Sequence, residues 1–206
     1  MPLHIVEHPV VEDVLSRLRD RQTPPSEFRR LSRRISLLLA VEATRDLGLS
    51  EESVETPLER TRVRRLADRV VAVPVLRAGL GMLEAFLEVV PAAQVGYFGL
   101  ERNEETAVAR RYYEKDPGDL ASAVVFLLDP MLATGGSAAM AEEGLRERGA
   151  SSVRQLCIVA APEGVAELER RAPGASIYTA ALDRELNDRK YILPGLGDFG
   201  DRLYGT

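Results

Sequence analysis

The 206-residue chain contains no tryptophan, one cysteine, two histidines, two asparagines and two lysines, and each shortage removes something from consideration. A lone cysteine excludes an internal disulfide and any metal cluster built on several thiolates. Its setting, the apolar run QLCIVAA, marks Cys157 as a buried structural thiol. No stretch approaches the roughly 20 consecutive apolar residues of a membrane span. The start, MPLHIVEHPVVED, lacks the basic-then-apolar order of a signal peptide, so a cytoplasmic location is expected. Among 27 basic residues only Lys115 and Lys190 are lysines. That bias fits a GC-rich genome better than a hot habitat, because the hyperthermophile trend favours Lys and Glu. A formal charge of -5 speaks against a broad grip on nucleic-acid phosphates, so a small-molecule partner is expected, with neither nucleic acid nor membrane.

The length and 45% hydrophobic content suit one domain over residues 1–206. Ser26 to Leu47 places Phe28, Leu31, Ile35, Leu38 and Leu39 on one helical face, after Pro24-Pro25 and before Gly48. Val70 to Leu76, Ala123 to Leu128, Gln155 to Ala160 and Ile177 to Leu182 are continuous apolar runs of strand length, the mark of strands covered on both faces. Helical segments, Leu80 to Val90, Ser137 to Arg148 and Gly164 to Arg171, lie between them. This alternation predicts an α/β fold with a doubly wound, mainly parallel sheet. The expected organisation is a helical N-terminal part (1–69), the α/β core (70–182) and a tail (183–206). Asn103 to Leu120 is long and polar and reads as an excursion from the sheet, a flexible flap or hairpin arm.

The stretch Leu127 to Ala138, LLDPMLATGGSA, carries the chemistry. If Ala123 to Leu128 is a parallel strand, the loop from Asp129 to Ser137 lies at its carboxyl end, where ligands bind such sheets. Gly135 and Gly136 permit close backbone approach, and the amides of Thr134 to Ser137 open the next helix with N–H groups aimed at an anion. A phosphate monoester suits that arrangement. Asp129, an acceptor only when ionised, suits neighbouring hydroxyls such as those of a ribose. An ordinary strand-to-helix turn capped by Asp129 is equally compatible with a bare TGGS. No lysine follows the glycines, which excludes a Walker A loop. GLGDFG (Gly195 to Gly200) matches GxGxxG by letter, but only six residues follow it where that fingerprint needs a helix and a distant acidic residue.

LLDPMLATGGSA resembles the 5-phosphoribosyl 1-diphosphate (PRPP) motif of type I phosphoribosyltransferases. EATRDL (Glu42 to Leu47), VPVLRAGLGM (Val73 to Met82), ERNEET (Glu101 to Thr106), VAAPEG (Val159 to Gly164) and YILPGLGDFGD (Tyr191 to Asp201) place the resemblance in the uracil branch, across nearly the whole chain. The superfamily's usual acidic pair is here Asp129-Pro130, as in that branch. The resemblance implies a C-terminal hood over the base at 183–206, and a glycosyltransferase (a pentosyltransferase, EC 2.4.2.9) that makes UMP and diphosphate from uracil and PRPP in pyrimidine salvage. It implies PRPP contacts from Arg77, Arg102, Asp129, Pro130, Met131, Leu132, Ala133, Thr134, Gly135, Gly136, Ser137 and Asp198. Uracil contacts are implied from Ile192, Gly197, Asp198 and Phe199, with Arg77 and Asp198 catalytic.

A guanidinium fork matches two phosphate oxygens, which suits Arg77 and Arg102 to the diphosphate. An ion pair at a strand end is the structural alternative for Arg77. Mg2+ is expected on the diphosphate, held mostly by substrate oxygens and waters; no residue is assigned as a direct ligand, and Asp198 is the candidate carboxylate. A turn-forming role for Asp198 is also open. The acceptor, donor, acceptor edge of uracil can be matched by main-chain groups alone, so cytosine should be rejected. Tyr191 fits either the far side of the ring or the core. His4 and His8 suit surface roles, and no general base for the uracil N1 proton stands out. Relatives are expected to be homodimers or larger, and some use GTP as an allosteric activator. A competing reading is an RNA-binding regulator on the same fold, with Arg29, Arg30, Arg33 and Arg34 as its basic face. A third is a phosphoribosyltransferase for another base.

Overall fold

Strands that are apolar on both faces need cover on both faces, and the fold supplies it with helices. The computed structural model describes residues 2–102, 109–115 and 118–206. In chain order the elements are β1 (Leu3–Ile5), α1 (Pro9–Arg19), α2 (Pro25–Ala43), β2 (Leu49–Glu55), β3 (Arg60–Leu66), β4 (Arg69–Leu76), α3 (Leu80–Val89), β5 (Gln94–Val95), β6 (Tyr97–Arg102), β7 (Ala109–Lys115), β8 (Ala123–Leu128), β9 (Met131–Leu132), α4 (Gly136–Glu147), β10 (Ser152–Ala160), α5 (Pro162–Arg171), β11 (Ser176–Leu182), β12 (Glu185–Leu186), β13 (Ile192–Leu193) and α6 (Phe199–Tyr204).

The main sheet runs β1-β11-β10-β8-β4-β6-β7, parallel throughout except at the β6/β7 pair. The expected doubly wound, mainly parallel α/β fold is therefore what forms. The chain moves from β4 outward to β6 and returns on the other side as β8, so the topological switch lies between β4 and β8. One face of the sheet packs on α1, α2, α3 and α6 through Phe28, Ile35, Leu39, Phe86 and Phe199. The other packs on α4 and α5 through Leu145 and Leu168. Arg171, on α5, joins those two helices by a bidentate pair with Glu143 of α4 (2.9 and 2.6 Å). Cys157 is buried as expected; burial pushes its thiol up to about 12.

Two stretches depart from the reading of the sequence. The N-terminal part is not helical over all of 1–69, since β1 joins the main sheet beside β11 and β2 and β3 form a separate antiparallel hairpin. That hairpin is solvated on both faces, so it shows no apolar alternation to read. It sets an acidic strand, LSEESVE, against a basic one, RTRVRRL, with an Arg65 Nε–Glu52 Oε2 pair at 2.8 Å. Part of the stretch expected as a flap or hairpin arm, 109–115, is β7, whose antiparallel pairing with β6 fits the hairpin alternative, but the pair extends the main sheet rather than leaving it. The ladder hydrogen bonds of that edge leave no trace in a polar sequence. Residues 103–108 and 116–117 lie outside the described residues.

On α2, Leu39 is fully buried and Val41 is 55% exposed. Leu39→Ala should therefore cost about 2–5 kcal/mol in urea-induced unfolding, while Val41→Ala stays within about 0.5 kcal/mol. Equal losses for the two would contradict the packing described.

Candidate active site

All parallel strands of the sheet end on one edge, and the register brings the sequence-predicted residues to it. Val73 and Pro74 of β4 lie beside Leu127 and Leu128 of β8, so Arg77 and Asp129 flank the switch point. Gly99 of β6 lies beside Leu76, which carries the backbone of Arg102 to the same edge; its side chain lies outside the described residues.

After β8 the chain jogs at Asp129-Pro130 and pairs again with β10 as β9. Pro130 O accepts from Ile158 N and Val159 N (2.9 and 3.1 Å), and Leu132 O from Ala161 N (2.9 Å). Gly135 then takes φ +77°, and a Cβ there would meet Gly164 O at 2.6 Å; a Cβ on Gly164 would meet Ala133 O at 2.4 Å. These two glycines press the loop against the start of α5 and turn it into α4. The first intrahelical bond runs from Ala139 N to Gly135 O (2.8 Å), so the N–H groups of Gly136, Ser137 and Ala138 have no partner inside the helix. Gly135, the N-cap, offers no side-chain cap. The loop lines a small open pocket of about 70 Å³ bounded by Asp129, Met131 to Gly135, Ser137 and Ala138. Thr134 and Ser137 are half-buried there, placing two hydroxyls beside unpaired amides at the positive end of a helix.

Asp129 is half-buried at the floor of this cavity. Burial pushes its carboxyl up to about 7, against one weak backbone donor, the Met131 N–H at 3.5 Å. A carboxylate so poor in donors is ready to accept from hydroxyls brought by a ligand. Across the switch point, Arg77 is exposed and has no ion-pair partner among the described residues. The Leu76-Arg77 peptide is cis. Gly79, just beyond, lies so close to Val75 and Leu128 that a Cβ would meet Leu128 O at 2.3 Å.

The tail crosses above this edge. Gly195 N donates to Asp183 Oδ2 (2.8 Å) at the end of β11, and Tyr204 Oη reaches Arg77 O (3.5 Å) at the end of β4. Those strands are three sheet positions apart, about 14 Å. Asp198 is exposed and caps α6, accepting from Asp201 N through Oδ1 (2.9 Å). Gly197 has φ +81° and is exposed, Ile192 and Phe199 are buried, and Tyr191 is 46% exposed rather than core. His8 caps α1, accepting from Val10 N at 3.1 Å, and His4 stacks on Tyr178. Three of the four arginines of the supposed basic face are already occupied, Arg29 on Leu203 O, Arg30 on Glu27 and Arg33 on Glu88. No group of three or more His, Cys, Asp or Glu side chains able to hold a metal comes together among the described residues.

Reading the sequence passed over Gly164, Asp183, Arg19 and Arg202. Only Asp183 had a legible signal, since like Asp129 it is a lone carboxylate directly after an apolar parallel strand.

Residues 5–206 match the profile of the family described as uracil phosphoribosyltransferase. The uracil phosphoribosyltransferase of Streptococcus equi subsp. zooepidemicus is 48% identical over 98% of this chain and 97% of its own. That of Shouchella clausii is 48% identical over 99% and 98%. Among solved structures, the AQ2163 protein from Aquifex aeolicus superposes with a TM-score of 0.95 at 38% identity, covering 99% of this chain and 98% of that one. A hypoxanthine-guanine phosphoribosyltransferase from Bacillus anthracis shares the fold, with a TM-score of 0.53 at 10% identity over 77% of this chain and 80% of that one.

The raised Asp129 value fixes the sign of a pH effect. Folded protein holds this proton more tightly than unfolded chain does, so the contribution to stability is full below about pH 4 and is lost as pH rises through about 7. Asp129→Asn should flatten that part of the profile and be the more stable form at pH 8, as read from urea unfolding at several pH values. An unchanged slope would contradict the assignment.

Proposed function

The chain belongs to the uracil phosphoribosyltransferase family, and from that membership we propose that it converts uracil and PRPP to UMP and diphosphate at the carboxyl edge of its sheet. The observation that carries this reading is the match over residues 5–206 joined to an uncapped helix start at Thr134 to Ser137. The PRPP 5-phosphate takes the free amides and hydroxyls of that loop, with Pro130 to Ala133 as its backbone wall. The ribose hydroxyls supply the donors that Asp129 lacks. Arg77 and Arg102 receive the diphosphate.

In the reaction uracil N1 attacks the anomeric carbon as the bond to the diphosphate oxygen breaks, the electron pair leaving with diphosphate and the N1 proton passing to solvent or to the departing diphosphate. Positive charge grows on the sugar while negative charge grows on the leaving group, so the protein acts by positioning and charge stabilisation. Mg2+ supplies further neutralisation of the diphosphate when bound. Asp198, whose Oδ1 accepts from Asp201 N, is the carboxylate that would help hold it, the remaining ligands being diphosphate oxygens and water. Uracil is read by the backbone at Ile192, Gly197 and Phe199, beside Asp198, where a cytosine amino group would face a donor.

Self-association fits the β2–β3 hairpin, which exposes Leu49, Leu66 and Leu58, the last at 95%. Light scattering on a sizing column tests whether a homodimer forms, and initial rates with and without GTP test the activation that the resemblance implies.

The reading is tested by supplying PRPP and Mg2+ with uracil, cytosine, orotate or hypoxanthine. Product is expected with uracil alone. Arg77→Gln should lower kcat/KM for PRPP by about a hundredfold. Asp198→Asn keeps a helix cap, so the large loss expected from it reports the charge. No product with any base would overturn the proposal and turn attention to RNA binding.

A further inference from the structure

The segment that the preceding section assigns to uracil is gripped by two arginines, and their targets are consecutive carbonyls. Arg19, the last residue of α1, forms a bidentate pair with Asp183 (2.8 and 2.6 Å) and also donates to Gly195 O (2.7 Å). Asp183, only 7% exposed, accepts from Gly195 N as well. Both polar backbone groups of Gly195 are thus tied to one ion pair, buried on its Asp183 side and half-buried at Arg19. The next carbonyl, Leu196 O, accepts from Arg202 Nη1 (2.7 Å). The same guanidinium donates to Leu18 O and to Asp20 O (2.5 Å) at the end of α1 and lies 4.4 Å from the centre of the Phe28 ring. Arg202 is therefore held on several sides, with one N–H spent on the tail.

Leu196 O and the Gly197 N–H belong to one planar peptide and point in opposite directions. Bonding the carbonyl to a fixed cation aims the N–H and, by polarising the amide, strengthens it as a donor. Gly197 is exposed, and its N–H has no acceptor among the described residues. Whatever Gly197 bonds to must come from outside the chain's own described groups.

We propose that Arg202, braced by the Arg19–Asp183 pair, is a positioning residue for base recognition, orienting and polarising the peptide whose Gly197 N–H bonds one carbonyl oxygen of uracil. This rests on the tail being the uracil site. Arg202 touches neither substrate in this scheme; it acts through the 196–197 peptide.

The test compares kcat/KM for uracil, 2-thiouracil and 4-thiouracil, because sulfur is a weak acceptor and marks the oxygen that the N–H contacts. Arg202→Met should lower kcat/KM for uracil about tenfold, mostly through the KM for uracil, with the KM for PRPP within about twofold. Its preference for uracil over one of the two thio bases should fall toward unity. Arg202→Lys should restore part of that preference, and Asp183→Asn should raise the uracil KM in the same direction. Leu145→Ala, a core truncation against the opposite sheet face, controls for lost stability and should leave the ratios alone. Equal loss on all three bases in Arg202→Met, or ratios matching Leu145→Ala, would overturn the proposal. So would a wild type that uses both thio bases as well as uracil. Absence of UMP from wild type is a different outcome, since it removes the enzyme reading itself.

Discussion

Two residues without side chains set the shape of the site. Gly135 lies against the backbone of Gly164, and Gly164 against the carbonyls of Leu132 and Ala133, with no room for a Cβ on either, and this contact brings the β8–α4 loop down onto the start of α5. From it follow the left-handed turn at Gly135, the uncapped amides at the start of α4 and the cavity floored by Asp129. A larger residue at either position would push the loop off the edge of the sheet, and the amides would no longer converge. The uncapped helix start is a consequence of backbone packing before any charged side chain is counted.

Charge is then added sparingly. The protein is acidic overall, yet its arginines are mostly committed to internal work, as on α2, α5 and the tail. Arg77 differs in standing exposed without a described partner, opposite a loop that presents a helix N-terminus. The same edge of the sheet thus carries a guanidinium with no ion-pair partner among the described residues and an uncapped helix start, in a protein that is acidic overall. Asp129 is the exception within that region. Its desolvation leaves it poorly supported until hydroxyl donors arrive, which ties its ionisation to ligand binding.

The hood over the edge is secured by the N-terminal part of the chain. Arg19 and the carbonyls at the end of α1 meet Gly195, Arg202 and, through Phe28, the ring of Phe199. Residues about 180 positions apart thus share one polar and aromatic joint. The helices of one face do more than cover the sheet, because they hold the tail at the height at which its backbone can face the loop at 129–137.

Much of this was legible in the sequence, and the rest was not, for definite reasons. Apolar runs such as AVVFLL and QLCIVA announce buried parallel strands because burial on both faces leaves no room for polar residues, and the glycines of TGGS announce a tight turn from strand to helix. The alternation announced a mainly parallel sheet but not the order of its strands, which only the pairing shows. What carried no pattern was any element whose stability does not depend on apolar burial: the solvated β2–β3 hairpin, the edge strand β7 and the short helix α6, held by strand pairing, ion pairs and a single Asp cap. The chain by itself determined which residues would be buried and which loop could cradle a phosphate. Only the tertiary structure decided that Gly164 closes that loop and that Arg19, Asp183 and Arg202 fix the tail, because those contacts join segments distant along the chain, where spacing carries no record of proximity.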